Sequence, residues 1–268
     1  MNELNGIVSQ VVEVSPIMKV FRIAPDGWEL PDFKAGQFCA LHLPASAKKV
    51  PEATADYEDF PPEKLIKRAY SIASSSRSKE FLEFYITLVH SGALTPRLFN
   101  LKIGDRVGVG KKFVGMFTLD QIDPSKNVVL IATGTGVAPY MSMLRTDALH
   151  RSGKISIIHG AANSWDLGYS SELQLLQNFA PQLSYIPTIT EPQKEMTPWQ
   201  GKVDFIQDMW KKGIMEDKWG FKPTPEDTHI FLCGNPRMIA DMTEALEVDG
   251  FSEWSRKNPE GQIHIEKF

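Results

Sequence analysis

The stretch 128-VVLIATGTGVAPYMSML-144 sets the architecture on both sides of it. Val128–Ala132 is a short, nearly continuous apolar run, the pattern of a strand buried on both faces of a parallel sheet. Thr133, Gly134, Thr135 and Gly136 turn the chain, and Pro139, Met141, Met143 and Leu144 follow at helical spacing. A strand that ends in small residues and opens into a helix offers free amides to an anion such as a nucleotide pyrophosphate. The pattern is GxG followed by Ala138-Pro139, without the third glycine of the dinucleotide fingerprint or the lysine of a P-loop, so an ordinary strand-turn-helix fits it too.

Downstream, the same grammar repeats. The helix after Gly136 runs to about Arg151. Strands Ile155–His159, Leu183–Thr190, His229–Cys233 and Ile263–Lys267 alternate with helices near Trp165–Phe179, Val203–Met209 and Pro236–Glu247. With Val128–Ala132 they predict a doubly wound α/β domain on a five-stranded parallel sheet, which binds ligands beyond the carboxyl ends of its strands.

Upstream, the chain reads as β. Gly6–Val14, Ile17–Ala24, Gln37–Leu43, Arg68–Ala73, Phe81–Val89 and Arg106–Val109 are six strand-like runs, and Gly92–Phe99 turns into one short helix whose start offers amides to a second phosphate. They predict an antiparallel six-stranded Greek-key β-barrel, whose closure removes exposed edges. The boundary falls near Gln121–Ser125, giving domains 1–122 and 123–268. Pro44–Lys67 is polar and aperiodic, which predicts a long, partly mobile surface loop: a solvated insertion or a partner-docking flap.

Composition narrows the chemistry. A chain of 268 residues with net charge −4 gives no reason to expect nucleic acid, no apolar run approaches a membrane span, and the N-terminus lacks the regions of a signal peptide, so a cytoplasmic protein is expected. Cys39 and Cys233 are the two cysteines, with no CxxC, too few for a typical iron-sulfur cluster, and no metal site is expected. Redox chemistry would need an organic cofactor.

Five pieces in order, RAYS at Arg68–Ser71, GALTPRL at Gly92–Leu98, ATGTGVAP at Ala132–Pro139, CGNPRM at Cys233–Met238 and the terminal IEKF at Ile265–Phe268, resemble the ferredoxin-NADP reductase family, nearest its bacterial flavodoxin/ferredoxin reductase branch. The resemblance spans nearly the whole chain apart from the length of the 44–67 loop. It implies an FAD barrel followed by an NAD(P)-binding domain, with electrons passing between NADP(H) or NAD(H) and ferredoxin or flavodoxin, a transient partner of a monomer. The alternatives within the same resemblance are the reductase component of an oxygenase, a haem-protein reductase, or a flavin-binding electron-transfer subunit.

By that resemblance Arg68, Ala69, Tyr70 and Ser71 meet FAD, with Arg68 on the pyrophosphate, Tyr70 beside the flavin and the Ser71 hydroxyl near flavin N5. Gly92, Ala93, Leu94 and Thr95 make the second pyrophosphate contact. Thr133, Gly134, Thr135, Gly136, Pro139, Cys233, Gly234 and Met238 receive the nicotinamide nucleotide. Ser71, Cys233, Glu266 and Phe268 form the catalytic set, with Phe268 stacked on the flavin and Glu266 orienting the nicotinamide or relaying a proton. Each has a plainer alternative: a surface ion pair for Arg68, a core aromatic for Tyr70, a helix cap for Thr95, an inert core thiol for Cys233 and a frayed tail for 266–268.

The donor is where the chain departs from its relatives. Bacterial members typically carry arginine after His-Gly and after Thr-x-Thr, where it grips the 2′-phosphate of NADPH. Here Ala162 and Glu191 stand in those places. Glu191 would repel a phosphate and could accept from a ribose hydroxyl, whereas Asn163, Ser164 and Lys194 remain as substitute phosphate contacts. The expectation is that NADH serves at least as well as NADPH.

Overall fold

The structure is a computed structural model and describes residues 4–56 and 58–267. Two compact units share the chain: residues up to Thr118 with Ala138–Thr146, and Leu119–Val137 with the remainder from Asp147.

The first unit is built on six strands, β1 (Gly6–Ser15), β2 (Met18–Pro25), β3 (Phe38–Pro44), β4 (Leu65–Ser71), β5 (Leu82–Thr87) and β6 (Arg106–Val109), with helices α1 (Thr95–Phe99) and α2 (Ala138–Thr146). All pairings are antiparallel and the sheet order is β4-β3-β6-β1-β2-β5. The residues just after β4 return to β5 at the opposite edge: the Ala73 amide donates to the Glu83 carbonyl at 2.8 Å, and the Glu83 amide to Ser74 Oγ at 3.1 Å. That is the barrel the sequence predicts. Val8, Phe21, Leu41, Leu43, Ile72, Phe84, Leu94 and Leu98 fill its interior.

Helix α2 joins this unit through polar contacts. Ser142 Oγ donates to the Ser74 carbonyl at 2.7 Å, and Arg145 reaches the Ala73 carbonyl at 2.9 Å and Glu83 at 2.6 Å. Glu83 is 2% exposed, and Arg22 meets its other oxygen at 2.7 Å, so two guanidiniums satisfy one buried carboxylate. The helix stops at Thr146 and a 3-10 turn, Ala148–His150, follows, shorter than the predicted run to Arg151.

The second unit holds β7 (Asn127–Thr133), β8 (Ile155–Ala161), α3 (Ser170–Phe179), β9 (Leu183–Ile189), β10 (Lys202–Val203), α4 (Ile206–Lys211), α5 (Ile214–Trp219), β11 (Thr228–Gly234), α6 (Pro236–Val248) and β12 (Ile263–Lys267). Its sheet is parallel, in order β10-β9-β8-β7-β11-β12. Val128–Ala132 are fully buried, as a strand covered on both faces must be. One face is covered by Ile206, Met209, Trp210, Ile214, Trp219, Ile239, Met242 and Leu246 from α4, α5 and α6.

Three expectations are corrected here. The sheet has six strands, because Lys202 and Val203 pair with Thr188 and Ile189 as an edge too short to leave a periodic trace. The helix predicted over Val203–Met209 is instead two helices after that edge, separated by Gly213 in the left-handed region at φ 80°. Likewise α3 begins at Ser170, because Ser164–Asp166 form a separate 3-10 turn and Tyr169 is left-handed at φ 63°. Among the described residues no helix is long and apolar enough to cross a membrane, and no group of three or more His, Cys, Asp or Glu is placed to hold a metal.

Candidate functional site

In the first unit the motif residues lie on β4 and at the start of α1. Lys67, Arg68 and Ala69 are successive exposed residues, Tyr70 is half-buried and Ser71 is buried. Arg68 and Tyr70 face the same way as Ile66, since they pair across β3 with Leu41, Cys39 and Leu43. That face therefore runs from core at Ile66 to surface at Arg68. The Arg68 guanidinium touches its own neighbour, the Lys67 carbonyl, at 2.7 Å, and its charge is free of the surface ion pair that was the plain alternative among the described pairs. Burial pushes the Tyr70 hydroxyl up, so it stays protonated at neutral pH.

Thr95 does not cap its helix. Leu94 occupies the cap position without a side-chain bond, while Thr95 Oγ1 accepts from the Val89 amide at 3.0 Å and lies 3.2 Å from the Val89 carbonyl. The hydroxyl thus closes the Val89–Thr95 turn. A Cβ at Gly92 would sit 3.0 Å from both Thr95 Oγ1 and the Val89 carbonyl, so any larger residue there would have to push this turn apart slightly.

What the sequence did not reveal is the bolt behind this turn. Arg97 is 4% exposed and grips Asp56 with two nitrogens at 3.1 and 2.7 Å, the Ala45 carbonyl at 2.7 Å and the Ala93 carbonyl at 2.5 Å. Lys49 adds an ion pair to Asp56 at 2.8 Å, and the Val50 and Thr54 amides donate to the Pro96 and His90 carbonyls. The hydrogen bond from Arg97 holds the Asp56 carboxyl down to about 2. The loop expected to be partly mobile is therefore tied to the turn it borders. An arginine amid the apolar residues of ALTPRLF was the one available signal, since a buried guanidinium demands an acid.

In the second unit, β7 and β11 are neighbours whose connections leave in opposite directions, which makes the gap beyond their carboxyl ends the topological switch point of the sheet. Both turns flank it. Thr133 Oγ1 accepts from the Asn235 amide at 2.7 Å, and a Cβ at Gly136 would overlap the Cys233 carbonyl, so the two backbones touch where only glycine fits. Gly234, at φ 128°, is closed in by Thr133 in the same way.

Beneath the turn lies His159, fully buried at the end of β8. Its Nε2 meets the Gly134 carbonyl at 2.9 Å and its Nδ1 meets the Tyr185 hydroxyl at 3.3 Å. A carbonyl can only accept, so Nε2 carries the proton and Nδ1 accepts from tyrosine. Burial holds the imidazole neutral and draws its pKa down to about 4, against the opposing pull of the Gly134 bond. The turn thus rests on an uncharged hydrogen-bonded prop.

Cys233 is fully buried and pairs in register with Glu266 on β12. Burial, and then the carboxylate of Glu266, push the thiol well up, so it is no thiolate nucleophile. Met238 lies on α6 and packs into the core cluster, and Pro139 is buried in α2. Phe268 lies outside the described residues.

The sequence pattern of the oxidoreductase NAD-binding domain family matches residues 130–244. The flavodoxin/ferredoxin–NADP reductase of Buchnera aphidicola subsp. Schizaphis graminum is 32% identical over 242 residues, covering 90% of this chain and 90% of that one. The ferredoxin–NADP reductase of Azotobacter vinelandii is 32% identical over 215 residues, 75% of this chain and 80% of its own. Among solved structures, a ferredoxin NADP+ reductase from Neisseria gonorrhoeae with bound FAD and NADP superposes with a TM-score of 0.81 at 25% identity, over 98% of this chain and 97% of that one.

Proposed function

Because the chain belongs to the flavodoxin/ferredoxin–NADP reductase family, we propose that residues 1–122 hold FAD, that residues 123–268 take the nicotinamide donor, and that the acceptor is ferredoxin or flavodoxin. The protein is an FAD-dependent oxidoreductase that moves electrons between a nicotinamide dinucleotide and a one-electron carrier. FAD, when bound, supplies the junction between two-electron and one-electron chemistry.

The donor set suits FAD. Arg68 offers an exposed forked cation for a diphosphate, the Gly92–Thr95 turn offers backbone, and Tyr70 presents a half-buried ring with a protonated hydroxyl. Ala69 and Ser71 line the same strand, and the Ser71 hydroxyl is the group we assign to the flavin edge. On the nicotinamide side we assign Thr133, Gly134, Thr135, Gly136 and Gly234 to the receiving turns, Pro139 in the helix that follows to the same contact, Cys233 to a small neutral wall, Glu266 to holding or moving a proton, and Phe268, outside the described residues, to the flavin face. Met238, on α6, is assigned to this side as well. The observation that carries the reading is the meeting of the Gly136 and Cys233 turns at the switch point, because crowding there excludes side chains and leaves backbone to face a nucleotide.

We take the working form to be a cytoplasmic monomer that meets its acidic carrier briefly, with Lys64, Lys67, Lys111 and Lys112 supplying positive charge on the barrel. Purified chain should carry FAD and, with a reduced nicotinamide, reduce ferredoxin or flavodoxin, and salt should slow this more than it slows reduction of a neutral dye. Turnover confined to a haem protein or an oxygenase component would move the assignment to those reductases. A chain that binds flavin yet reduces no dye alone would be a subunit dependent on its partner.

A further inference from the structure

We propose that Glu195 sets the choice between the two nicotinamide donors, by holding a carboxylate where the distinguishing 2′ group of the donor is met; this rests on the nucleotide reading above. The segments that follow β8 and β9 are joined at the carboxyl end of the sheet. The Asn163 side chain donates to the Glu191 carbonyl at 3.1 Å, and the Glu191 amide donates to the Ala162 carbonyl at 2.9 Å. From this junction the 3-10 turn Pro192–Lys194 delivers Glu195 back to Ser164. Both carboxylate oxygens are used there, one taking the Ser164 amide at 2.7 Å and the other the Ser164 hydroxyl at 2.6 Å.

In a doubly wound sheet the ribose of the adenosine half is read at the end of the second strand of the first βαβ unit, by an acid for a hydroxyl and by cations for a phosphate. Here that strand is β8. The Ser164 amide and hydroxyl, which would serve a phosphate, are both taken by an internal anion. The nearby cation is taken as well: Lys194 pairs with Glu191 at 2.6 Å. Glu191, the residue the sequence singles out as repelling phosphate, thus has a cation beside it, whereas the groups that hold Glu195 are the neutral amide and hydroxyl of Ser164, so the uncompensated charge belongs to Glu195. A donor with a 2′-phosphate must expel this carboxylate from two short hydrogen bonds or bind against its charge, whereas a donor with a 2′-hydroxyl does neither. NADH accordingly serves at least as well as NADPH.

The test compares wild type, Glu195→Gln and Glu191→Gln by calorimetric binding of 2′,5′-ADP and of 5′-ADP, with kcat/KM for NADPH and NADH beside it. The account predicts that E195Q tightens 2′,5′-ADP about tenfold and raises the NADPH to NADH ratio to match, with 5′-ADP nearly unmoved, while E191Q shifts neither ratio comparably. An E195Q ratio unchanged within about twofold, an equal shift from E191Q, or a wild-type preference for NADPH above about tenfold would each overturn it. Failure of all three proteins to bind either nucleotide would overturn the nucleotide site itself, a result distinct from an unchanged ratio.

Discussion

The turn before α1 and the turn after β7 are secured by opposite means. Before α1, the turn is held by charge: Arg97 reaches across to Asp56, Ala45 and Ala93, and Lys49 completes the cluster. After β7, the turn is held by shape and by neutral hydrogen bonds: Gly136 and Gly234 against facing backbone, and His159 under Gly134. Charge suits the first because it ties down a long polar loop whose apolar contribution to the core is confined to Ala45, Ala47, Val50 and Phe60 among the described residues. Neutrality suits the second because it sits on the buried end of a parallel sheet, where an uncompensated charge would cost several kcal/mol.

The contrast is broken most severely at Gly136. Gly136→Ala places a methyl into the Cys233 carbonyl, and overpacking of this kind costs about 3 kcal/mol. Urea unfolding should show that loss together with weakened nicotinamide binding, while FAD content, which depends on the first unit, stays near wild type.

Acid should separate the two props next. His159 has its pKa lowered to about 4, so the folded state keeps it neutral while the unfolded chain takes up a proton below about 6.5. Its contribution is complete above that value and is lost as pH falls toward 4, up to about 3 kcal/mol at about 1.4 kcal/mol per unit. His264, lowered to about 3 by burial and by neighbouring His229, adds to the slope in the same window. The informative quantity is therefore the difference between wild type and His159→Gln, which keeps a donor for Gly134 and has nothing to titrate. The variant's stability should be flatter between pH 6.5 and 4. Parallel curves would show that His159 is not the group responsible.

A smaller effect is expected at the charged bolt. Arg97→Met should cost about 2 kcal/mol, less than the loss of a wholly buried pair, because Asp56 is 23% exposed and keeps Lys49. Asp56 is held down to about 2, so the stability it contributes is present above its ordinary value of 3.8 and vanishes as pH falls through 2. Limited proteolysis should cut the 45–64 loop faster in the variant. An uncut loop would mean that backbone bonds such as Val50 to Pro96 suffice to hold it.

What was legible in the sequence follows the same division. The β7 strand, its glycine turn and the alternation after it could be read because their signals are local: apolar runs, small residues and helical spacing within one stretch. The motif residues were assigned by resemblance rather than from local pattern. The partners of charged residues could not, since Arg97 and Asp56 lie 41 residues apart and Ser164 and Glu195 lie 31 apart, and nothing local specifies such pairs. Glu191 shows the consequence, because its charge was visible in the sequence and its pairing with Lys194 was not. The edge strand β10 escaped for a different reason: two residues carry no period.

The central claim is that one chain brings FAD and a reduced nicotinamide into the same redox reaction. Anaerobic titration of the FAD-loaded protein with NADH and with NADPH, followed by visible flavin absorption, tests it most directly. The account predicts stoichiometric bleaching by reduced nicotinamide and recovery of the colour on adding oxidised ferredoxin or flavodoxin. Flavin that stays oxidised with both donors present in excess would contradict it.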